Sequence, residues 1–379
     1  MTKKIMLVFG TRPEAIKMAP LYHALKIRSD LFETQVCVTA QHRQMLDQVL
    51  KVFDIKANID LDVMKADQDL FDVTSSVLLG MREVLKTHRP DVLLVHGDTT
   101  TSLASAIAGF YAGISVGHVE AGLRTHDLSA PFPEEFNRQV TSKVTNWHFA
   151  PTALSRQNLL SEGVPEGRIT VTGNTVIDAL FWVLERIESD ALRQASISTF
   201  LEERLPFRWR QDRFILITGH RRENFGDGFT QICEALKKLA MHYPDVHFVY
   251  PVHLNPNVQG PVNSILLGLA NVHLIDPLDY EPFVYLLKHC YLVLTDSGGI
   301  QEEAPSLGKP VLVMREVTER PEAVKAGTVR LVGANRERII ANVSELIENE
   351  VSYKKMSHYH NPYGDGEACG RIVDILRVI

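Results

Sequence analysis

Cysteine is scarce in this 379-residue chain, and the four present (Cys37, Cys233, Cys290, Cys369) stand far apart, with no CxxC pair. That spacing speaks against a disulfide framework and fits reduced, buried thiols in a cytoplasmic protein. Fifteen histidines occur, yet none falls in an HExxH or other metal-ligand spacing, so no metal site is expected. Long apolar runs are missing as well. No window nears the length of a bilayer span, which argues against membrane insertion. The opening Met1–Phe9 stretch is too short for a signal peptide and is expected to lead straight into a strand. Basic charge is not in surplus: Lys and Arg number 40 against 46 Asp and Glu, a net charge of −6. That balance argues against a general nucleic-acid surface. An anionic ligand must then be held locally, by Arg, Lys, His and helix ends. There is no low-complexity segment, no Ser/Gly-rich linker and no short repeat.

What is present is ordinary globular material, 45% hydrophobic and 23% charged, on a chain too long for one comfortable core. Two domains are expected, at 1–172 and 173–364. Short apolar runs alternate with helical patterns. Ile5–Phe9, Glu33–Thr39, Val92–His96, Ile114–His118 and Trp147–Ala150 read as strands, with helical spacing between them in Glu14–Ile27, Gln44–Val52, Leu70–Thr87 and Thr100–Ala112. The pattern restarts after Asn174 with strands at Phe214–Thr218, His247–Val252, Val272–Ile275, Tyr291–Thr295 and Pro310–Met314. Alternation of this kind means α/β, two doubly wound Rossmann-like domains whose ligands sit beyond the carboxyl ends of parallel strands, in a cleft between them.

One stretch organises the rest. Leu292–Leu294 is a buried-strand run that stops at Thr295-Asp296-Ser297-Gly298-Gly299, followed by a helix opening at Ile300–Ala304 and a second apolar run at Pro310–Met314. The glycines would allow a tight turn and a close approach. Ser297 would cap the helix, whose free N–H groups make an anion seat. Glu303, taken as first-turn, suits the paired hydroxyls of a ribose. A plain strand-to-helix turn explains the glycines equally well.

Other strand ends carry further candidates. Gly10 permits a turn and Pro13 suits a first helical position, so Arg12 and Lys17 project toward the strand ends. Asp98 follows Val95-His96-Gly97 and Glu120 follows Val119, while Glu134 opens a helix that also carries Arg138. Each has a bland alternative: Asp98 as a helix cap, Glu134 as a favourable first-turn charge. Three acids converging from successive connections point instead to proton transfer, since crowded like charges move toward acid/base duty. His220 and His253 end the next domain's first strands. Leu278 offers main-chain groups to a base edge, Phe283 an aromatic face for stacking, and Arg320 could close over a ligand with help from Glu316.

These segments resemble the non-hydrolysing UDP-N-acetylglucosamine 2-epimerases. The likeness lies in FGTRPEAIKMAP, VHGDTTT, GHVEAGLRT, PFPEEFNRQV, TGHRRENFG, PVHLNPNV, TDSGGIQEEAPSLGKPVLVMREVTERPEAVKAGT and NPYGDGEA, which follow one another in order from Phe9 to Ala368. The resemblance implies the glycosyltransferase-B architecture, with the last helix (365–379) packing back on the first domain, and a homodimer. It implies that UDP-GlcNAc and UDP-ManNAc are interconverted with no cofactor, neither NAD nor metal. Asp98, Glu120, Glu134 and His220 would be catalytic. Arg12, Lys17, Arg138, His253, Leu278, Phe283, Ser297, Gly298, Gly299, Glu303 and Arg320 would bind substrate. Some members bind a second substrate molecule through the segment holding Gln41, His42 and Gln44. Here the nearby Met64–Asp69 is acidic rather than basic, which argues against such activation. A glycosyltransferase using the same donor, a hydrolysing epimerase releasing ManNAc and UDP, and a non-catalytic nucleotide-sugar sensor remain the alternatives.

Overall fold

A computed structural model describes residues 2–40, 43–65, 67–358 and 360–379. The chain divides into two compact units, Met1–Trp182 with Tyr363–Ile379, and Val183–Pro362. Each is a parallel α/β sandwich.

The first unit opens with β1 (Lys3–Phe9), α1 (Arg12–Ile27), β2 (Phe32–Val38), α2 (Arg43–Val52), β3 (Ile59–Asp60) and α3 (Leu70–His88). It continues with β4 (Val92–His96), α4 (Thr100–Tyr111), β5 (Ser115–Val119), α5 (Glu134–Val144), β6 (Trp147–Ala150), α6 (Ala153–Ser161), β7 (Ile169–Val171) and α7 (Thr175–Ser189). The strands lie in the order β3-β2-β1-β4-β5-β6-β7. Every residue of β4 is buried, as are Ile5–Phe9 of β1. That follows from helices covering both faces of a parallel sheet, where an alternating pattern would leave polar groups inside. Met6 and Val8 of β1 join Val77 and Met81 of α3 and Ala104 and Ala108 of α4 in one core layer.

The second unit runs α8 (Ala191–Glu202), β8 (Phe214–Thr218), α9 (Asp227–His242), β9 (His247–Pro251), α10 (Pro256–Leu266), β10 (Val272–Ile275) and α11 (Tyr280–His289). Then come β11 (Leu292–Thr295), α12 (Gly298–Ser306), β12 (Val311–Val313), α13 (Pro321–Ala326), β13 (Val329–Leu331), α14 (Arg336–Glu348) and α15 (Glu350–Ser357). Its order is β10-β9-β8-β11-β12-β13. Ile215 and Ile217 of β8, Leu292 and Leu294 of β11, and Phe229 and Leu236 of α9 share its core.

Helix α16 (Ala368–Val378) belongs to the first unit, where it packs on α1. Asp178 of α7 holds its start, accepting from the Cys369 N–H at 2.7 Å and the Ala368 N–H at 3.3 Å. That bond, and Asn174 N–H to the Tyr363 carbonyl at 2.7 Å, tie the first turns of α7 into the first unit. The division therefore falls inside α7, at Trp182/Val183. All four cysteines are free and buried, Cys37 and Cys369 in the first unit and Cys233 and Cys290 in the second. No helix among the described residues is long and apolar enough to cross a membrane.

Candidate functional site

In the first unit, connections leave the sheet in opposite directions from β1 and β4, which places their loops side by side at the carboxyl edge. Thr11 caps α1 in a box with Glu14. Glu14, only 2% exposed, accepts at Oε2 from the Gly10 N–H (3.1 Å), the Thr11 N–H (2.8 Å) and the Thr11 hydroxyl (2.7 Å). Its Oε1 takes the hydroxyls of Thr99 (2.6 Å) and Ser102 (3.0 Å). One carboxylate thus laces the two loops together. Gly10, in the turn between β1 and α1, has no left-handed φ. Its role is close approach, because a Cβ there would lie 2.0 Å from Thr39 Oγ1 and 2.7 Å from Thr101 Oγ1. Arg12, half-buried at the first position of α1, has no ion pair among the described residues.

Asp98 does not cap α4; Thr99 does, accepting from the Ser102 N–H at 3.1 Å. Gly97, in the left-handed region at φ 65°, donates to the Val119 carbonyl at 2.9 Å, and its own carbonyl accepts from His118 Nε2 at 2.7 Å. Asp98 Oδ2 receives Arg138 Nε at 2.9 Å and Nη2 at 2.7 Å, and the Asp98 carbonyl receives Asn137 Nδ2 at 2.7 Å. On its other side Arg138 Nη1 lies 3.2 Å from Glu135. Glu135 is fully buried and also accepts the N–H groups of Thr125 and His126 and the amide of Gln139. Burial pushes the pKa of Glu135 up, but this ring of donors outweighs it and holds the carboxyl below its usual range.

Glu120 sits at φ 63°, a left-handed conformation that costs a glutamate about 1 kcal/mol. Its carboxylate pairs with Lys17 and stands 3.5 Å from His96 Nε2. Glu134 is the first residue of α5, and its Oε2 is buried with no hydrogen-bond partner among the described residues. Asp98, Glu120 and Glu134 therefore share one edge of one sheet. Asp98 shares Arg138 with Glu135, and Glu120 pairs with Lys17, so each of the two carboxylates faces a cation.

In the second unit the corresponding edge lies between β8 and β11. Helix α12 starts at Gly298, with Ser297 at the cap position but making no side-chain cap bond. The Ser297 N–H instead donates to Thr295 Oγ1 at 2.9 Å, so the serine hydroxyl does not perform the capping expected of it. Gly298 and Gly299 have ordinary helical backbones, not the tight-turn geometry expected. A Cβ on Gly298 would meet nothing nearer than Arg221 Nη2 at 3.8 Å and Arg320 Nη2 at 3.9 Å, and one on Gly299 nothing nearer than Glu303 Oε2 at 3.9 Å. The protein's own packing thus makes no demand for glycine at these positions. They leave a bare helix tip with two guanidinium groups beside it. Glu303 lies in the second turn of α12 rather than the first, buried and accepting the Tyr280 hydroxyl at 3.1 Å. Arg320 pairs with Glu302, which is itself 1% exposed.

His220 follows β8 and stacks on His253, ring centres 5.5 Å apart and planes 19° from parallel. The exposed His253 accepts the Asn255 N–H at 3.1 Å. Leu278, two residues before α11, and Phe283, within it, are both half-buried. Glu316 is 71% exposed and pairs with Arg338 at 3.2 Å, so it has a surface partner of its own. Gln41 and His42 lie outside the described residues. Gln44 is exposed in the first turn of α2, next to Arg43, which forks to Asp60 (2.6 Å) and Asp62 (2.8 Å).

Sequence reasoning passed over Glu14, Glu135, Arg221 and Asp296. Glu14 had a visible signal in the Thr11…Glu14 spacing of a capping box. Glu135 had the i,i+3 and i,i+4 spacings to Arg138 and Gln139 on one helix face, whereas Arg221 and Asp296 had none, since their partners arrive from distant elements.

The profile of the family described as UDP-N-acetylglucosamine 2-epimerase matches residues 24–377. The UDP-N-acetylglucosamine 2-epimerase of Yersinia pestis is 60% identical over 374 residues, covering 99% of this chain and 98% of its own. Among solved structures, the UDP-GlcNAc 2-epimerase of Neisseria meningitidis bound to UDP-GlcNAc is 52% identical, with a TM-score of 0.89, covering 98% of this chain and 99% of its own. The S. aureus MnaA–UDP structure is 44% identical, with a TM-score of 0.87, covering 99% and 96%. With two parallel sheets, interleaved helices and a match of this extent, the chain belongs to the UDP-N-acetylglucosamine 2-epimerase family.

Proposed function

We propose that this protein interconverts UDP-N-acetylglucosamine and UDP-N-acetylmannosamine without hydrolysing them. A base takes the C2 proton while the C1–O bond breaks, its electrons leave with UDP, and C1=C2 forms to give a 2-acetamidoglucal. An acid returns a proton to the opposite face of C2 as UDP re-adds at C1. The C2 hydrogen is not flanked by a carbonyl, so its removal depends on a stabilised leaving group.

The observation that carries this reading is the bare tip of α12, with Arg221 and Arg320 beside Gly298. Helix N–H groups and guanidinium forks suit a diphosphate. Ser297, freed from capping, supplies one more donor. Glu303 would take the ribose, and Leu278 and Phe283 the uracil. His220, His253, Arg12 and Lys17 would contact the ligand. Arg12 carries its charge at a helix N-terminus, where the dipole disfavours a cation unless an anion comes with it. Asp98, Glu120 and Glu134 would perform the proton transfers. Domain roles follow, with the hexose chemistry in the first unit and nucleotide binding in the second.

The test is to incubate the protein with UDP-GlcNAc in D₂O without an acceptor and follow C2 by NMR. Deuterium at C2 of intact UDP-ManNAc is expected. Substrate that stays unchanged until an acceptor sugar is added would make it a transferase, and free ManNAc with UDP as sole products would make it a hydrolase.

The protein is further proposed to act as a cytoplasmic homodimer supplying a polysaccharide pathway. Four free thiols suit a reducing compartment. For the second copy, α3 and α4 offer a largely apolar groove lined by Leu78, Leu79, Arg82, Ala108, Tyr111 and Ala112, with exposed Phe110 beside it. Knob and groove on one patch suit a two-fold contact. Light scattering on the protein and on Leu79→Arg should give a dimer and a monomer; a monomeric unaltered protein would refute this.

A further inference from the structure

We propose that Asp296 is a positioning residue that fixes the orientation and the tautomer of His220 beside the α12 tip. In the reaction this rests on the nucleotide reading above; in the protein alone it does not.

Asp296 stands at the carboxyl end of β11 and is completely buried. Its Oδ2 accepts the N–H groups of His220 (2.9 Å) and Arg221 (2.8 Å) and, at 3.4 Å, the side-chain amide of Asn224. Asn224 is in turn anchored on the Met314 carbonyl at 3.2 Å. One carboxylate oxygen therefore shapes the loop that leaves β8. The other oxygen, Oδ1, has no hydrogen-bond partner among the described residues and lies 3.4 Å from His220 Nδ1, out of line for a hydrogen bond. Even without a hydrogen bond, an anionic oxygen at that distance repels a ring lone pair and attracts an N–H. It follows that Nδ1 carries the proton of the neutral ring. Nε2 is then left as the nitrogen that can meet a ligand.

Three charged or titratable groups face the ring: Asp296 from β11, His253 from the end of β9, and Arg221 from its own loop. Burial pushes the His220 pKa down, Asp296 pulls it back up, and His253 and Arg221 add to the depression. Without the carboxylate nothing among them would favour a second proton. With it, protonation puts an N–H on Nε2. The arrangement sets a buried negative charge close to a proposed anion seat, which is unfavourable for a diphosphate unless a cation stands between them. A protonated His220 is that cation.

Asp296→Asn separates positioning from mere loop support. The three N–H donors at Oδ2 require the carbonyl oxygen there, so the loop bonds persist and the new NH₂ faces Nδ1. Nδ1 must then accept, and the ring hydrogen moves to Nε2. ¹⁵N-detected imidazole NMR of the ligand-free protein, with His220→Gln to assign the resonance, should show an Nδ1–H tautomer in the unaltered protein and an Nε2–H tautomer in Asp296→Asn. The His220 pKa should drop in the variant, and turnover should fall about a hundredfold. An Nε2–H tautomer in the unaltered protein, or an unchanged tautomer and pKa in the variant, would overturn the assignment. Because both readings need no substrate, they stand or fall separately from the identity of the reaction.

Discussion

Arg138 shows what single residues decide here. Its guanidinium spans Asp98 and Glu135, a job for a planar fork rather than a point charge. Arg138→Lys should hold only one acid, so turnover should drop at least about tenfold, while UDP affinity, read by calorimetry, stays unchanged. Ser297 gives the converse case. Because its hydroxyl caps nothing, Ser297→Ala should leave the melting temperature where it is yet weaken UDP binding roughly tenfold, the value of one hydrogen bond to a charged group. A lowered melting temperature with unaltered UDP affinity would return the serine to a capping role. Residue identities at the strand ends were legible in advance because an apolar run that stops at a charge is a local signal. Partners were not. Nothing near Asp296 in the chain announces Asn224, and nothing near Asp98 announces Arg138, forty residues on.

Elements repeat that division. The long buried strands and amphipathic helices were readable from period and composition, whereas β3, β7 and β13, of two or three residues each, are too short to display any period. The start of α12 was read two residues late because glycine is a poor helix former; here it accepts the helix to keep its tip bare. Gly10 belongs to the same scale. It lets β1 and α1 pass against Thr39 and Thr101, so Gly10→Ala should destabilise the first unit by about 2 kcal/mol, measured by urea denaturation. Asp178→Ala removes the acceptor at the start of α16 and should cost about 1 kcal/mol, with faster hydrogen exchange at Cys369 as its local sign.

For the molecule as a whole, acid is the condition to watch. Burial lowers His118 to about 3, and His148 and His273 to about 4. In the unfolded chain each takes a proton near pH 6.5. Between those values the unfolded state binds more protons, so stability falls as pH drops from about 6.5. At pH 5 each contributes a loss of about 2 kcal/mol. Thermal melts at pH 7 and pH 5 should differ clearly, and equal midpoints would contradict the buried neutral state. His118 and His148 act in the first unit and His273 in the second, so both units are exposed to this. The two-sheet plan was legible from alternation along the chain. The point of division was not, because α7 runs through it without a break in its pattern.

The four sealed cysteines make the protein its own reporter. Burial holds Cys37, Cys233 and Cys290 at about 12, far from thiolate, and Cys369 is likewise raised. A colorimetric thiol reagent should therefore count none in the native state and four after denaturation. Since each unit hides two, mass mapping of which sulfurs become labelled first would reveal which half of the chain lets go before the other.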